Sequence, residues 1–369
     1  MSGNANLIIK GEHKGLMFDD LIVHDKSWVE FGQQDNALHI LFNKNAQISK
    51  DSTLDFTRTR FATIKQAESD EVTQSVTTIG NVKFQKILAM YADNVNITGN
   101  ITMTYMEGVP AKDTYVGVEA INIKIFENAS IVAGVTLLHA NDTIEMKEGS
   151  KIKSTDPHSC TTDKIAPDLY SCIGPAAQKS DRIEFTDIMG RLEEQFPTYG
   201  GIRDNMKFPN WWGAIRANYT VYLLSSGETK LSGAEISGAR IGLCAASADV
   251  KKSSIDASGH GCPSDQGLGK GVKYSKCSGT GGSNGGSGGY GGLLLDTTNH
   301  SQSVCPQMKP EAYRYGLENK FEGSGGASGD SNARLGGSGG GIIRIDVLNE
   351  MKMSRSKVLA NGNDGKDGG

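Results

Sequence analysis

A short pattern of β-forming residues recurs along this sequence and constrains its fold more than any other feature. From Ile87 onward, a run rich in Ile, Val and Leu is followed by a turn, a single aliphatic residue and another turn. The single aliphatic residues, which we call anchors, are Ile101, Ile131, Ile152, Ile236, Ile255 and Val358. Adjoining anchors are 21 residues apart (131 to 152) or 19 apart (236 to 255). Such spacings suit one coil of a parallel β-solenoid.

The glycine content favours the same class of fold. Glycine supplies 47 of the 369 residues, and each glycine inside a helix costs about 1 kcal/mol. Apolar residues follow a helical spacing only over residues 180–195. We therefore predict an all-β chain that forms a right-handed parallel β-helix (solenoid). The alternative is an antiparallel sandwich, which requires hairpin turns such as Asn-Gly between its strands.

Two stretches interrupt the repeat and suggest four regions. Residues 1–86 are an N-terminal β region of unknown role, and residues 87–156 hold the first solenoid rungs. Residues 157–220, rich in Cys, Pro and Trp, are an insertion that we expect disulfides to pin to the solenoid. Residues 221–369 continue the solenoid and are rich in glycine. The second interruption, residues 259–341, lies within this last region and holds 24 of the 47 glycines. We expect its glycine-rich stretches to be packed loops, since glycine lets one backbone approach another closely.

Cysteines and glycosylation sequons indicate an oxidising, extracellular environment. The six cysteines lie mostly in polar or glycine-rich sequence and are expected to form up to three disulfides, of open connectivity: Cys160, Cys172, Cys244, Cys262, Cys277 and Cys305. Six N-x-[ST] sequons, about twice the chance number, predict N-glycans. Their acceptors are Asn96, Asn100, Asn128, Asn141, Asn218 and Asn299. The N-terminus shows no apolar signal segment, and the C-terminus stops within a repeat, so we expect a segment of a longer chain.

Residues 221–369 resemble a known family. "SIDASGHGCPSDQGLGKG" at 254–271 is followed by a second Gly/Ser block, by "GGSGGGIIRIDV" and by "KVLANGNDGKDGG". This order is similar to that of glycine-rich extracellular proteins of plants, oomycetes and protists, thought to form pectin-lyase-like parallel β-helices. The resemblance implies a role at the cell surface or wall without demonstrated catalysis. Some flagellar hairs, the mastigonemes, are built from comparable glycosylated proteins.

Several catalytic and metal-binding patterns are better explained by composition. The two "GGSGG" blocks match G-x-S-x-G but lack the flanking strand and helix of a nucleophile elbow. His260, Cys262 and Cys277 could hold zinc, yet no C-x-x-C pair exists and disulfide formation is favoured. Asp364 and Asp367 suit either calcium or turns. The acids Asp142, Glu145 and Glu148 alternate with apolar residues, as solvent-facing positions of one rung do.

We therefore expect a structural protein and assign no catalytic, cofactor or metal residue. The expected role is that of a secreted, glycosylated subunit, or segment of a subunit, of a mastigoneme-like extracellular filament or surface coat. It would associate with itself or with other coat proteins. A net charge of -4 argues against nucleic-acid binding, and no apolar run is long enough to span a membrane. The alternatives are a polysaccharide lyase or hydrolase on a β-helix, or a carbohydrate-binding module that stacks sugars on Trp211 and Trp212.

Overall fold

A computed structural model gives the three-dimensional structure of the chain. It describes residues 5–10, 15–32, 34–66, 76–104, 114–156, 160, 219–273, 281–282, 322–328 and 335–365. The described residues form twenty strands and no helix. The one stretch whose apolar residues follow a helical spacing, 180–195, lies outside these ranges.

The strands form two parallel sheets of ten strands each. The short-strand sheet contains β1 (Asn6–Ile9), β3 (Trp28–Phe31), β5 (Thr53–Phe56), β8 (Asn81–Phe84), β10 (Asn100–Met103), β12 (Ser130–Ala133), β14 (Lys151–Ser154), β16 (Glu235–Ser237), β18 (Ser254–Asp256) and β20 (Lys357–Leu359). The long-strand sheet contains β2 (Gly15–Val23), β4 (Gln34–Ile48), β6 (Thr59–Gln66), β7 (Val76–Ile79), β9 (Ile87–Ile97), β11 (Tyr115–Ile125), β13 (Val135–Met146), β15 (Val221–Ser232), β17 (Arg240–Lys251) and β19 (Ile342–Ser354).

The chain passes alternately between the two sheets, so that each coil has one long and one short strand. In the third coil two strands, β6 and β7, together take the place of the long one, because both pair with β4 and β9. Every pairing among the described strands is parallel. The antiparallel sandwich is therefore wrong for these residues, and the architecture is consistent with a parallel β-helix.

The register of the short-strand sheet confirms the predicted anchors. Ile101 pairs with Ile131, Ile131 with Ile152, and Ile152 with Ile236. Ile236 pairs with Ile255, which pairs with Val358. The column continues towards the N-terminus through Val82, Leu54, Val29 and Leu7. From Val29 to Ile255 these side chains are at most 4% exposed, so one stack of aliphatic residues forms a wall of the core.

The sheets run without interruption across the expected boundary at residue 86. Short strand β8 pairs with β10, and long strand β6 pairs with β9. The described strands from β1 to β8 therefore supply the first coils of the same stack, although the repeat was recognised only from Ile87. These coils keep aliphatic anchors but add aromatic rings two residues after them: Phe31 follows Val29 and Phe56 follows Leu54, and the two rings stack 4.6 Å apart.

The long strands turn a corner at a register shift. Between β11 and β13 the pairing moves from Ala120–Ala140 to Asn122–Thr143, so β13 has one additional residue there. Equivalent shifts occur between β15 and β17 and between β17 and β19. Such bulges bend a strand locally, and the long strands that carry them therefore contribute to two faces of their coils.

The described parts of the glycine-rich stretch 259–341 are hydrogen-bonded to one another. The Cys262 amide donates to the Gly323 carbonyl, the Gly323 amide donates to that of Gly340, and the Gly339 amide donates back to Cys262. A Cβ atom at Gly339 would overlap the Gly323 carbonyl oxygen. Glycine is required here because of this close approach between backbones, not because of a positive φ angle, since Gly339 has none.

Candidate functional site: the open ends and the outer flanks

The two ends of the stack expose its aliphatic core. The anchor column finishes at Leu7, which is 38% exposed, and at Val358, which is 42% exposed. In the long-strand sheet, Met351 and Met353 continue the inward-facing columns of Ala248 and Val250. Ala248 and Val250 are buried, whereas the two methionines are 39% and 44% exposed. The difference arises because no described strand covers β19.

Exposed apolar side chains are concentrated at these ends. Eleven large hydrophobic residues of the described chain are exposed, and eight of them lie in the first or last strand of a sheet. They are Leu7, Ile8, Met17, Ile22, Leu348, Met351, Met353 and Val358. β1 and β2 at one end, and β19 and β20 at the other, also present a backbone edge without a described neighbour. Such edges are templates for pairing with another chain.

The flank beyond the corner carries a column of charges that alternate in sign. Lys124, Glu145, Lys230, Asp249 and Lys352 face one another on five successive long strands. Lys124 Nζ lies 3.1 Å from Glu145 Oε2. Burial raises the pKa of the Glu145 carboxyl. Hydrogen bonds from Lys147 and Lys124 and the charges of these lysines outweigh this effect, so the pKa of Glu145 lies below its ordinary value. We call these five residues the charge column.

Asp142, Glu145 and Glu148, the acids noted in the sequence, lie on the outer side of one coil. Glu145 lies between Lys124 and Lys147, as expected for an outward, solvent-facing position. Asp142 and Glu148 are exposed at a bulge and a turn. The three carboxylates do not converge on a cleft.

The sequon asparagines occupy the flanks and corners. Asn100, Asn128 and Asn141 are exposed, whereas Asn96 is half-buried within β9. Asn128 lies in a turn with a positive φ of 60°, and Asn141 lies in the bulge of β13. Asn218 and Asn299 lie outside the described residues. None of the four described acceptors is at an open end of the stack.

Asn100 also belongs to a hydrogen-bonded ladder between coils. Its backbone amide donates to Asn81 Oδ1, and its own Oδ1 accepts a hydrogen bond from Ser130 Oγ at 2.7 Å. Asn81 Nδ2 donates in turn to the Lys50 carbonyl. The Nδ2 atom of Asn100, which is the atom that carries an N-glycan, donates to none of these partners.

One predicted disulfide is present among the described residues. Cys160 is bonded to Cys262, which joins the start of the first insertion to the glycine-rich stretch. Cys262 is therefore not a zinc ligand, and the zinc alternative is wrong for this residue. Cys244 is disulfide-bonded as well, although its apolar surroundings are those of a buried thiol. Cys172, Cys277 and Cys305 lie outside the described residues.

Sequence reasoning missed a group of titratable side chains on the outer face before the corner. Tyr91, Glu119 and His139 pair in register on β9, β11 and β13. His139 Nδ1 lies 3.6 Å from Glu119 Oε1. Burial and the nearby charge of Glu119 raise the pKa of Tyr91 well above its ordinary value, so the phenol stays protonated. Their spacing along the chain gives no signal, because each residue comes from a different coil.

The remaining candidate sites are not assembled in the described part of the chain. Ser338 of the second "GGSGG" block donates a hydrogen bond to the Gly259 carbonyl. Within the described ranges, no three His, Cys, Asp or Glu side chains are close enough to hold a metal ion. Asp364 is described, but Asp367, Trp211 and Trp212 are not. The third tryptophan, Trp28, is half-buried in β3 beneath Lys83 Nζ, which lies 4.4 Å from the ring centre.

Comparisons with known proteins add no relative. No protein family, curated protein or solved structure matches the chain. No helix in the described part of the chain has the length and apolar character needed to cross a bilayer.

Proposed function

We propose that this protein is a secreted, N-glycosylated structural subunit that assembles end to end in an extracellular filament or surface coat. Its sheets would form a right-handed parallel β-helix, since crossover connections between parallel strands are right-handed in about 98% of cases. The observation that carries the proposal is the concentration of eight of the eleven exposed large hydrophobic residues at the two ends.

The exposed aliphatic residues and open strands at both ends favour contact between the opposite ends of two copies. Each end offers an aliphatic core and open parallel strands, so stacking would remove apolar surface from water at about 25 cal/mol per Å². The two ends are different surfaces, so one copy's β20 end would meet the next copy's β1 end. A head-to-tail contact of this kind does not close on itself unless it forms a ring, and it therefore builds open filaments.

The flanks support an extracellular coat. The Cys160–Cys262 disulfide suits an oxidising compartment and would pin the first insertion to the glycine-rich loops. Glycans on Asn100, Asn128 and Asn141 would project sideways and leave the ends accessible. The intact mass of the secreted protein, before and after enzymatic deglycosylation, tests this part. An unchanged mass would show that the sequons are unused.

Assembly is tested with two lysine substitutions of matched exposure. Met353 at the β19 end and Ile121 at a corner of the flank are both 44% exposed. We expect sedimentation velocity to show that Met353→Lys abolishes concentration-dependent association, whereas Ile121→Lys leaves it intact. Negative-stain micrographs should show rods for Ile121→Lys but not for Met353→Lys. A chain that stays monomeric at all concentrations, or equal loss in both variants, would refute end-to-end assembly.

A further inference from the structure

A polar groove runs along the outside of the stack beside the turns that precede the short strands. It has a volume of about 480 Å³, and every side chain that lines it is polar. Lys26 and Lys50 line it in the N-terminal coils, and the sequon acceptors Asn100 and Asn128 line it further along the stack. We call it the turn groove. Its lysines and amides supply hydrogen-bond donors for a hydroxyl-rich occupant.

The amide group of Asn100 has a fixed orientation at this groove. Its Oδ1 accepts a hydrogen bond from Ser130 Oγ on β12 at 2.7 Å, and its backbone amide donates to Asn81 Oδ1 on β8. Oδ1 and Nδ2 diverge from the same carbon atom, so Nδ2 lies on the side of the amide away from β12. A glycan on Nδ2 is therefore directed over β8, towards the N-terminal coils.

A column of outer-face residues leads from Asn100 to an aromatic ring. It runs from Asn100 through Asn81 and Thr53 to Trp28, on the neighbouring strands β10, β8, β5 and β3. At the usual spacing of parallel strands, β3 lies about 14 Å from β10. Thr53 and Asn81 are short, half-buried side chains, so the column between the two ends is shallow and polar.

Trp28 offers a surface on which a sugar can stack. It is the only tryptophan in the described part of the chain, and it lies half-buried on the outer face of β3. An indole ring has a flat apolar face that suits the C–H groups of a pyranose. Lys83 Nζ, 4.4 Å from the ring centre, can donate a hydrogen bond to sugar oxygens beside the ring.

We propose that the turn groove and Trp28 form a docking site for an N-glycan carried by Asn100 of the same chain. The first sugars occupy the groove over Asn81, and a later sugar stacks on Trp28. The docked glycan lies along the flank and ties four coils together. This inference rests on the proposed N-glycosylation for the presence of the glycan. Asn141, in the bulge of β13 on the long-strand sheet, is outside this column and serves as the comparison.

The rate of enzymatic glycan release tests the docking. The folded, secreted protein is digested with an amidase that cleaves N-glycans from asparagine, and mass spectrometry follows each site, because release leaves an aspartate. Relative to the denatured protein, we expect release from Asn100 to be about ten-fold slower than from Asn141, equivalent to about 1.4 kcal/mol of docking. Equal relative rates, or an unoccupied Asn100 beside an occupied Asn141, would overturn the inference.

Two substitutions remove single sequons without changing the asparagines or Trp28. Thr102→Ala removes the sequon of Asn100, and Thr143→Ala removes that of Asn141; both threonines are half-buried. Hydroxyl-radical footprinting with mass spectrometry measures the exposure of Trp28. We expect Thr102→Ala to raise the labelling of Trp28 severalfold and Thr143→Ala to leave it at the wild-type level. Unchanged labelling in Thr102→Ala, or an equal rise in both variants, would contradict the docking.

Sedimentation of the same material separates this inference from the proposed function. Slow release from Asn100 in a chain that stays monomeric would keep the docking site and remove the filament. Association of a chain with fast release from Asn100 would keep the filament and remove the docking site. Absence of glycans from every sequon would contradict the docking site and the glycosylated coat, but not assembly through the ends.

Discussion

The Arg240 guanidinium pairs with the carboxylate of Glu322, which lies 82 residues further along the chain. The Glu322 side chain is fully buried, and that of Arg240 is 14% exposed. This ion pair joins the glycine-rich stretch to the first residue of β17. It adds a buried ionic contact to the backbone hydrogen bonds that hold the stretch.

Removal of one partner of this ion pair should be costly. We expect Arg240→Met to lower the free energy of unfolding by about 3 to 5 kcal/mol, because it takes the Arg240 charge away from a buried carboxylate. Arg240→Met combined with Glu322→Leu should recover most of the loss. Urea denaturation measures both variants. A loss of less than about 1 kcal/mol in the single variant would contradict a stabilising role for this ion pair.

Close contact between glycine backbones predicts that the loss of stability caused by a Gly→Ala substitution depends strongly on which glycine is replaced. Gly339→Ala should destabilise the protein by about 1 to 3 kcal/mol, the usual range for overpacking, since the new Cβ would overlap the Gly323 carbonyl oxygen. Gly15→Ala is the control, because its Cβ would lie 3.8 Å from the nearest backbone oxygen, that of His39. Thermal unfolding of both variants tests the contact. Equal melting temperatures would contradict it.

The buried His39 predicts a loss of stability in mild acid. Burial lowers the pKa of His39 from 6.5 to about 4, and its Nδ1 is hydrogen-bonded to Thr63 Oγ1. Between these two pH values the unfolded chain binds the proton and the folded chain does not. The free energy of unfolding should therefore fall by about 3 kcal/mol as the pH drops from 6.5 to 4.

Substitution of His39 isolates this contribution. His39→Phe should remove that part of the pH dependence, as measured by urea denaturation at a series of pH values. His24→Gln is the control, because the His24 side chain is 43% exposed. If the free energy of unfolding changes equally with pH in the wild type and in His39→Phe, another group is responsible for the pH dependence.

The anchor column predicts a difference between buried and exposed isoleucines. Ile152→Ala should cost about 2 to 5 kcal/mol, because it removes a buried side chain between two other anchors and leaves a cavity. Ile121→Ala, at an exposed corner, should cost less than about 1 kcal/mol. Denaturant midpoints compare the two variants. Similar midpoints would show that the column is not a tightly packed part of the core.

The disulfide predicts a further loss when both its cysteines are replaced. Cys160 and Cys262 are 102 residues apart, and closing a loop of this length restricts the unfolded chain by up to about 4.7 kcal/mol in the chain-entropy model. Cys160→Ala with Cys262→Ala should therefore lower the unfolding free energy by several kcal/mol. Calorimetry measures the change. An unaffected transition would show that the cross-link adds no stability.

The anchors were predictable because they obey a local rule, one aliphatic residue between two turns. The coils before Ile87 were not recognised, although their anchors are aliphatic too, because three of these anchors are followed two residues later by a phenylalanine. That column holds Phe31, Phe56 and Phe84, and it continues with Met103 in the next coil. The sequons and cysteines were visible as motifs, but their placement on flanks, corners and insertions was not. The charge column was also invisible, because its residues come from five coils whose separation varies with the length of the insertions.

The sequence by itself determined the all-β class, the anchors and the outward position of Glu145, because each depends on the alternation of apolar and polar residues within one coil. Only the tertiary structure decided which coils are neighbours, which cysteine joins Cys160, and that Arg240 meets Glu322. It also decided that Met351, Met353 and Val358 are exposed, although their pattern is that of core residues. The physical reason is that burial in a stack depends on a neighbouring coil, and β19 and β20 have a described neighbour on one side only.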